Sequence, residues 1–235
     1  MYLQNKQVDI QNWGLTGYQA AFEQQEALLK TIIAIKVANR QQAQTKPTPN
    51  YLIFCEHPHV YTLGKSGNHK HLLANKKMLQ EKQATFFNTN RGGDITYHGP
   101  GQLVVYPILD LENFFTDIYR YLRLLEEVVI ATLQDFGLHS GRIPGLTGVW
   151  IEPQAQEKAR KICAIGVRIS RWITMHGLAF NVTTDLSYFD YIIPCGIPAR
   201  KVTSLAKELG WDPSMQLVTN KLQANMIRLL AMEPL

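Results

Sequence analysis

Cysteine is scarce in this chain: three residues in 235, at positions 55, 163 and 195. An odd and low count excludes a disulfide framework and points to a reducing compartment. The first residues, MYLQNKQVDIQNWG, contain no basic stretch followed by an apolar one, so no secretory signal is expected. Long hydrophobic runs are missing as well. The longest, TIIAIKVA at 31–38, is interrupted by Lys36 and falls far short of the ~18–20 apolar residues a membrane span needs. These absences predict a soluble cytoplasmic protein with no membrane partner. Metal-ligand clusters are absent too: His57-Pro58-His59 is an isolated pair that no Cys/His group follows at ligand spacing, so no metal and no cofactor are expected. Basic residues (Lys76-Lys77, Lys158, Arg160, Lys161, Arg200-Lys201) are dispersed and form no dense stripe, which argues against nucleic acid.

What the chain does have is core-forming material. Hydrophobic residues make up 46% and charged residues 18%, which excludes disorder. Lys and Arg number 24 against 19 Asp and Glu, and this net charge of +5 favours acidic partners. No low-complexity tract, internal repeat or long linker divides the chain, so residues 1–235 read as a single domain. Helical periodicity marks 15–40, with Ala21, Leu28, Ile32 and Ile35 in one row, and 114–136, with Tyr121, Leu124, Leu125, Val128 and Leu133. Shorter helices are expected at 76–82, 201–209 and 214–231. Strand-like runs occupy 51–57, 60–64, 84–90, the end of 91–111, 147–152, 161–170 and 177–182. Strands in the middle with helices at intervals give an α/β (α+β) class, mixed sheets flanked by helices.

The densest chemical feature is RGGDITYHGPGQ, Arg91 to Gln102. Its four glycines and one proline permit sharp turns and close backbone approach to a ligand, amid hydrogen-bonding groups from Arg91, Thr96, Tyr97, His98 and Gln102. Gly64-Lys65-Ser66 imitates the end of a phosphate-binding loop, but the glycine that motif requires at position 59 is His59. Cys55 (in LIFCE) and Cys163 (in KICAIG) sit in apolar strands and read as core thiols. Cys195 lies in YIIPCGIP, where proline and glycine fix a tight backbone that suits an exposed nucleophile. An ordinary thiol is only about 3% ionised at pH 7, so a nucleophilic cysteine needs a partner. Lys161, Lys201, Lys207, His98 and His176 are all open as that partner, since such groups meet in space.

Three ordered segments, RGGDITYHGPGQLVVYP, RKICAIGVRISRWITMHGLAFNV and IIPCGI, closely resemble the octanoyltransferases of lipoate biosynthesis. The resemblance extends from HPHVYTLGKSG near residue 57 to the C-terminal helices. It implies the fold shared by biotin and lipoate protein ligases and an acyltransferase activity. The octanoyl group would pass from octanoyl-acyl carrier protein to a lysine of lipoyl domains, those of 2-oxoacid dehydrogenases and the glycine cleavage H protein. It also implies that Cys195 carries the acyl thioester and that Lys161 activates it. Substrate-binding positions fall on Arg91, Gly92, Gly93, Asp94, Ile95, Thr96, Tyr97 and His98, on Ala164, Ile165 and Gly166, and on Gly177, Leu178 and Ala179. Cys163, beside the lysine position, departs from the small apolar residue common in the family. A related ATP-dependent ligase would need an adenylate site and no nucleophilic cysteine. A non-catalytic binding module would have no use for the Cys195–Lys161 pair.

Overall fold

The computed structural model describes residues 4–41, 46–155, 157–193 and 201–235. The chain begins with β1 (Gln7–Leu15), α1 (Tyr18–Asn39), β2 (Asn50–Glu56) and β3 (Val60–Leu63). It continues through α2 (Lys76–Glu81), β4 (Thr85–Asn88), β5 (Ile95–His98), β6 (Gln102–Ile108) and α3 (Ile118–Gln134). The second half holds β7 (Ser140–Ile143), β8 (Leu146–Ile151), β9 (Arg160–Ser170) and β10 (Ile173–Asn181). It ends with β11 (Lys201–Val202), α4 (Leu205–Leu209), α5 (Met215–Leu230) and β12 (Glu233–Pro234).

Eight strands of the large sheet run in the order β12-β1-β2-β6-β10-β9-β8-β7, and β11 pairs with β9 off that path. A small sheet, β4-β3-β5, stands beside it. Pairing is mixed: β1 runs parallel to β2, whereas β2, β6, β10 and β9 are antiparallel neighbours. The mixed sheets with flanking helices expected from the sequence are therefore present.

Strands β6 and β10 are buried along their whole length, because helices cover the large sheet on both faces. On one face, Tyr121, Leu125, Val128, Val129 and Leu133 of α3 meet Val218, Leu222 and Met226 of α5 over Leu103, Val105, Leu178 and Phe180. On the other, Ala21, Leu29 and Ile32 of α1 pack on Ile53, Val104, Tyr106, Met175 and Ala179. The small sheet has a core of its own around Tyr61, Ile95, Tyr97 and Tyr188.

Several local expectations need correction. Helix α3 starts at 118 because the Asp117 side chain accepts the Arg120 N–H at 2.9 Å and caps it there. Residues 201–202 form a strand, with Lys201 beside Arg160 and Val202 beside Lys161, and the helix begins only after the Ser204 cap. The buried seam of α1 runs Tyr18, Ala21, Gln25, Leu29, Ile32, Lys36, leaving Leu28 and Ile35 half-buried. Two polar residues occupy that seam because each has a tertiary partner. Gln25 Oε1 accepts the His176 N–H at 3.0 Å, and Lys36 Nζ donates to Asp110 Oδ1 at 2.6 Å.

Candidate active site

Glycines let the Arg91–His98 segment dock against both sheets. A Cβ on Gly166 would lie 2.9 Å from the Gly92 oxygen, and one on Gly64 would lie 2.3 Å from the Gly93 oxygen. Through the space they leave, Gly92 N–H donates to Val167 O at 2.9 Å and Lys65 N–H to Arg91 O at 2.9 Å. Ser66 N–H donates to Gly93 O at 3.2 Å. The Gly64-Lys65-Ser66 turn thus spends its amides on the neighbouring loop, which explains its likeness to a phosphate loop without that function. The two apolar triplets are cross-strand partners: Gly166 faces Gly177, Ile165 faces Leu178 and Ala164 faces Ala179. A Cβ on Gly177 would fall 2.1 Å from the Val105 oxygen, so only glycine allows β10 to approach β6 so closely.

Together these segments enclose a cavity of about 350 Å³, bordered by Arg91, Gly93, Asp94, Thr96, Ala164 to Gly166 and Gly177 to Ala179. That size falls within the usual range for small-molecule sites. Lys161, Thr147 and Val202 border one part of it, and Tyr18, Tyr106 and His176 another. Tyr97 does not border it. Its ring is fully buried in the small-sheet core, stacked on Tyr188 with centroids 4.9 Å apart, and its hydroxyl meets His59 Nδ1 at 2.7 Å. Alternation along β5 turns Thr96 and His98 the other way.

The Lys161 stem passes Gly148, where a Cβ would come within 3.3 Å of Lys161 Cε and 2.6 Å of the Cys163 oxygen. Its Nζ lies 4.7 Å from the centroid of the Trp150 ring and donates to Thr147 O at 3.2 Å. Gly148 is held in turn by Glu126, a buried carboxylate of α3 that accepts the Gly148 N–H at 3.0 Å and pairs with Arg123 and Arg142. Lys201 and Lys207 are exposed and lie outside the cavity lining, so of the three lysines only Lys161 reaches the cavity.

A polar chain links the binding loop to β11. Arg91 Nη2 donates to Thr62 O and Oγ1, at 2.6 and 2.9 Å, and Thr62 Oγ1 lies 3.2 Å from His98 Nε2. His98 Nδ1 donates to Gln102 Oε1 at 2.8 Å, Gln102 Nε2 to Asn181 Oδ1 at 2.9 Å, and Asn181 Nδ2 to Thr203 O at 3.0 Å. Both nitrogens of His98 are therefore engaged within this chain of hydrogen bonds. His57 and His59 also serve the interior separately: His57 Nδ1 donates to Thr16 O at 2.6 Å, while His59 stacks on Tyr188. Among the described residues no group of three or more His, Cys, Asp or Glu is arranged to hold a metal ion.

Burial holds His57, His98 and His176 below the ordinary imidazole value, His57 at about 4 and His176 at about 3, with Arg91 adding to the depression at His98 and His176. The unfolded chain binds protons near pH 6.5 that the folded protein refuses. Stability is thus complete above that pH and falls as pH drops toward 4, by up to about 1.4 kcal/mol per pH unit for each histidine. Thermal melting across pH 7 to 4.5 should show the loss; a constant melting temperature would contradict neutral burial.

Cys55 and Cys163 are buried in the core, as expected, and burial pushes both thiols well above the ordinary cysteine value. Cys195 lies outside the described residues. The cavity also involves residues not named among the binding positions: Tyr18 and Thr147 outside the three motif segments, and Tyr106 and Asn181 within them. They lie on four separate elements, and no local pattern joins them.

A family model for the lipoyl protein ligase A/B catalytic domain matches residues 18–227. The chain belongs to that family. Within it, the octanoyltransferase of Christiangramia forsetii is 59% identical over 206 residues, covering 88% of this chain and 88% of the relative. That of Flavobacterium johnsoniae is 60% identical over 206 residues with the same coverage. At this similarity, the chain is a transferase enzyme of the lipoyl ligase A/B family. The fold also matches a bi-partite lipoate protein ligase from Thermoplasma acidophilum, with a TM-score of 0.69 and 17% identity over 98% of this chain and 86% of the other. That likeness concerns architecture alone.

Proposed function

We propose that this transferase moves an octanoyl group from octanoyl-acyl carrier protein to a lysine of lipoyl domains, through a thioester on Cys195. The supporting observation is the anchoring of the chain on both sides of residues 194–200. Before them, Ile193 N–H donates to His71 O at 2.8 Å, and His71 Nδ1 meets Asp94 Oδ2, a cavity residue, at 2.5 Å. After them, Val202 pairs with Lys161, and Thr203 N–H donates to Lys161 O at 2.9 Å. Arg160 fastens this second anchor by binding Glu208 of α4 and Glu152 of β8's end, with the Thr203 hydroxyl also on Glu208. The described residues on either side of Cys195 are thus both joined to the cavity lining, Ile193 through His71 and Asp94, and Val202 and Thr203 through Lys161.

In this reading the Cys195 thiol gives its proton to Lys161, and the thiolate attacks the carrier's octanoyl thioester. A new C–S bond forms, the carrier thiolate leaves, and it takes up a proton. The acceptor lysine then loses a proton in the site, attacks the enzyme thioester and expels the Cys195 thiolate, leaving an amide. One thioester replaces another in the first half, and amide formation drives the second, so ATP is not consumed. An acceptor amine of ordinary pKa, about 10.4, arrives protonated, which is why a base must be present.

Mixing the protein with octanoyl carrier and apo-lipoyl domain, without nucleotide, and weighing all three tests the reading. The expected result is an octanoyl adduct first on the enzyme and then on the acceptor. A requirement for ATP would point instead to adenylate chemistry.

A further inference from the structure

His176 occupies an unusual position in β10. Its backbone φ is +61° in the middle of a strand, a conformation that costs a non-glycine residue energy, though histidine tolerates it better than most. Gln25 of α1 accepts its N–H, and its ring lies against Phe22, with centroids 5.9 Å apart. Helix α1 thereby pins the residue on the cavity face of the sheet. His176 Nε2 donates to Asn90 Oδ1 at 2.7 Å. The residue is 2% exposed and borders the cavity, yet among the described residues Nδ1 has no hydrogen-bond partner. Burial keeps the ring neutral, so with the proton on Nε2 this buried nitrogen carries a lone pair.

The register locates this nitrogen along the cavity. Val167 of β9 is the partner of His176, six residues beyond Lys161 on the same strand. At ~3.3 Å per residue that is ~20 Å, enough for a lysine side chain and an extended eight-carbon chain laid end to end. Between the two stand Ala164 to Gly166 and Gly177 to Ala179, small or apolar. An acyl chain with its carbonyl near Lys161 therefore points its far end toward His176.

We infer that His176 Nδ1 is the polar terminus of the acyl tunnel, setting the chain length and reading the chain's far end. An alkyl chain long enough to reach Nδ1 strips that nitrogen of any donor, which disfavours it. A chain whose last atom is a hydrogen-bond donor satisfies it and is favoured. The inference rests on the proposed acyl transfer and goes beyond it, by assigning specificity to a residue that neither the binding motifs nor the reaction requires.

The test compares pantetheine thioesters of octanoate, nonanoate, decanoate and 8-hydroxyoctanoate, reading the rate of acyl-enzyme formation by intact mass. The native protein is expected to prefer octanoyl over decanoyl, and 8-hydroxyoctanoyl over nonanoyl of the same length, each by about tenfold. The His176→Gly variant suits the positive φ and removes the ring; it should accept decanoyl about as well as octanoyl and prefer nonanoyl over the hydroxy chain. A native protein that favours nonanoyl over the hydroxy chain would overturn the inference without any variant. So would a folded variant with an unchanged octanoyl-to-decanoyl ratio. Failure of every thioester to label the native protein would overturn the acyl-enzyme reading beneath it.

Discussion

Replacing Cys195 by alanine is expected to abolish the octanoyl mass shift on the enzyme and to lower transfer to the lipoyl domain by at least about 10³-fold. The reason is chemical: without the sulfur no covalent intermediate forms, and the acceptor amine must attack the carrier thioester directly. The same experiment contains its controls. Cys55 and Cys163 are buried, and burial raises both thiols far above the range where thiolate exists near neutrality. Cys55→Ala and Cys163→Ala should therefore label as the native protein does. Normal labelling of Cys195→Ala, or loss of labelling in either control with the fold intact, would transfer the nucleophile's role elsewhere.

Lys161→Ala should slow both half reactions by about 10²- to 10³-fold, the usual contribution of a positioned base. Its stem runs over the space that Gly148 leaves, and its Nζ is held by Thr147 O and the face of Trp150, so its place does not depend on bound substrate. Lys161→Arg separates charge from proton transfer. A guanidinium supplies positive charge but does not give up its proton. The arginine variant should recover part of the thiolate's formation and none of the acceptor's deprotonation. Undiminished single-turnover acylation in Lys161→Ala would remove the residue from the mechanism.

The sequence carried much of this site in legible form. The glycines of Arg91–Gln102 announced close backbone approach, and in the fold Gly92 and Gly93 are where β9 and the Gly64 turn meet the loop. Strand β9 and the second half of β10 were readable as strand-like runs at 161–170 and 177–182, but the start of β10 at Ile173 and the register, which sets Ala164 against Ala179 and Gly166 against Gly177, were not. Local pattern also misled where tertiary partners prevailed. Residues 201–202 became a strand because β9 offers them a ladder, and Gln25 and Lys36 entered the α1 seam because a backbone amide and a carboxylate await them inside. Strands β1, β7 and β12 left little signal, since they lie toward the edges of the large sheet and are only partly buried.

By itself, then, the sequence determined what depends on residue type and short spacing: the strand and helix periods, two core thiols, the glycine loop, and a short set of candidate bases. Tertiary structure alone decided which candidate faces the cavity. It placed Lys161 there and left Lys201 and Lys207 in solvent, engaged both nitrogens of His98, and left Nδ1 of His176 without a hydrogen-bond partner among the described residues. The physical reason is that hydrogen bonding and burial are settled between strands and helices far apart in the chain, whereas propensity and periodicity act only between near neighbours.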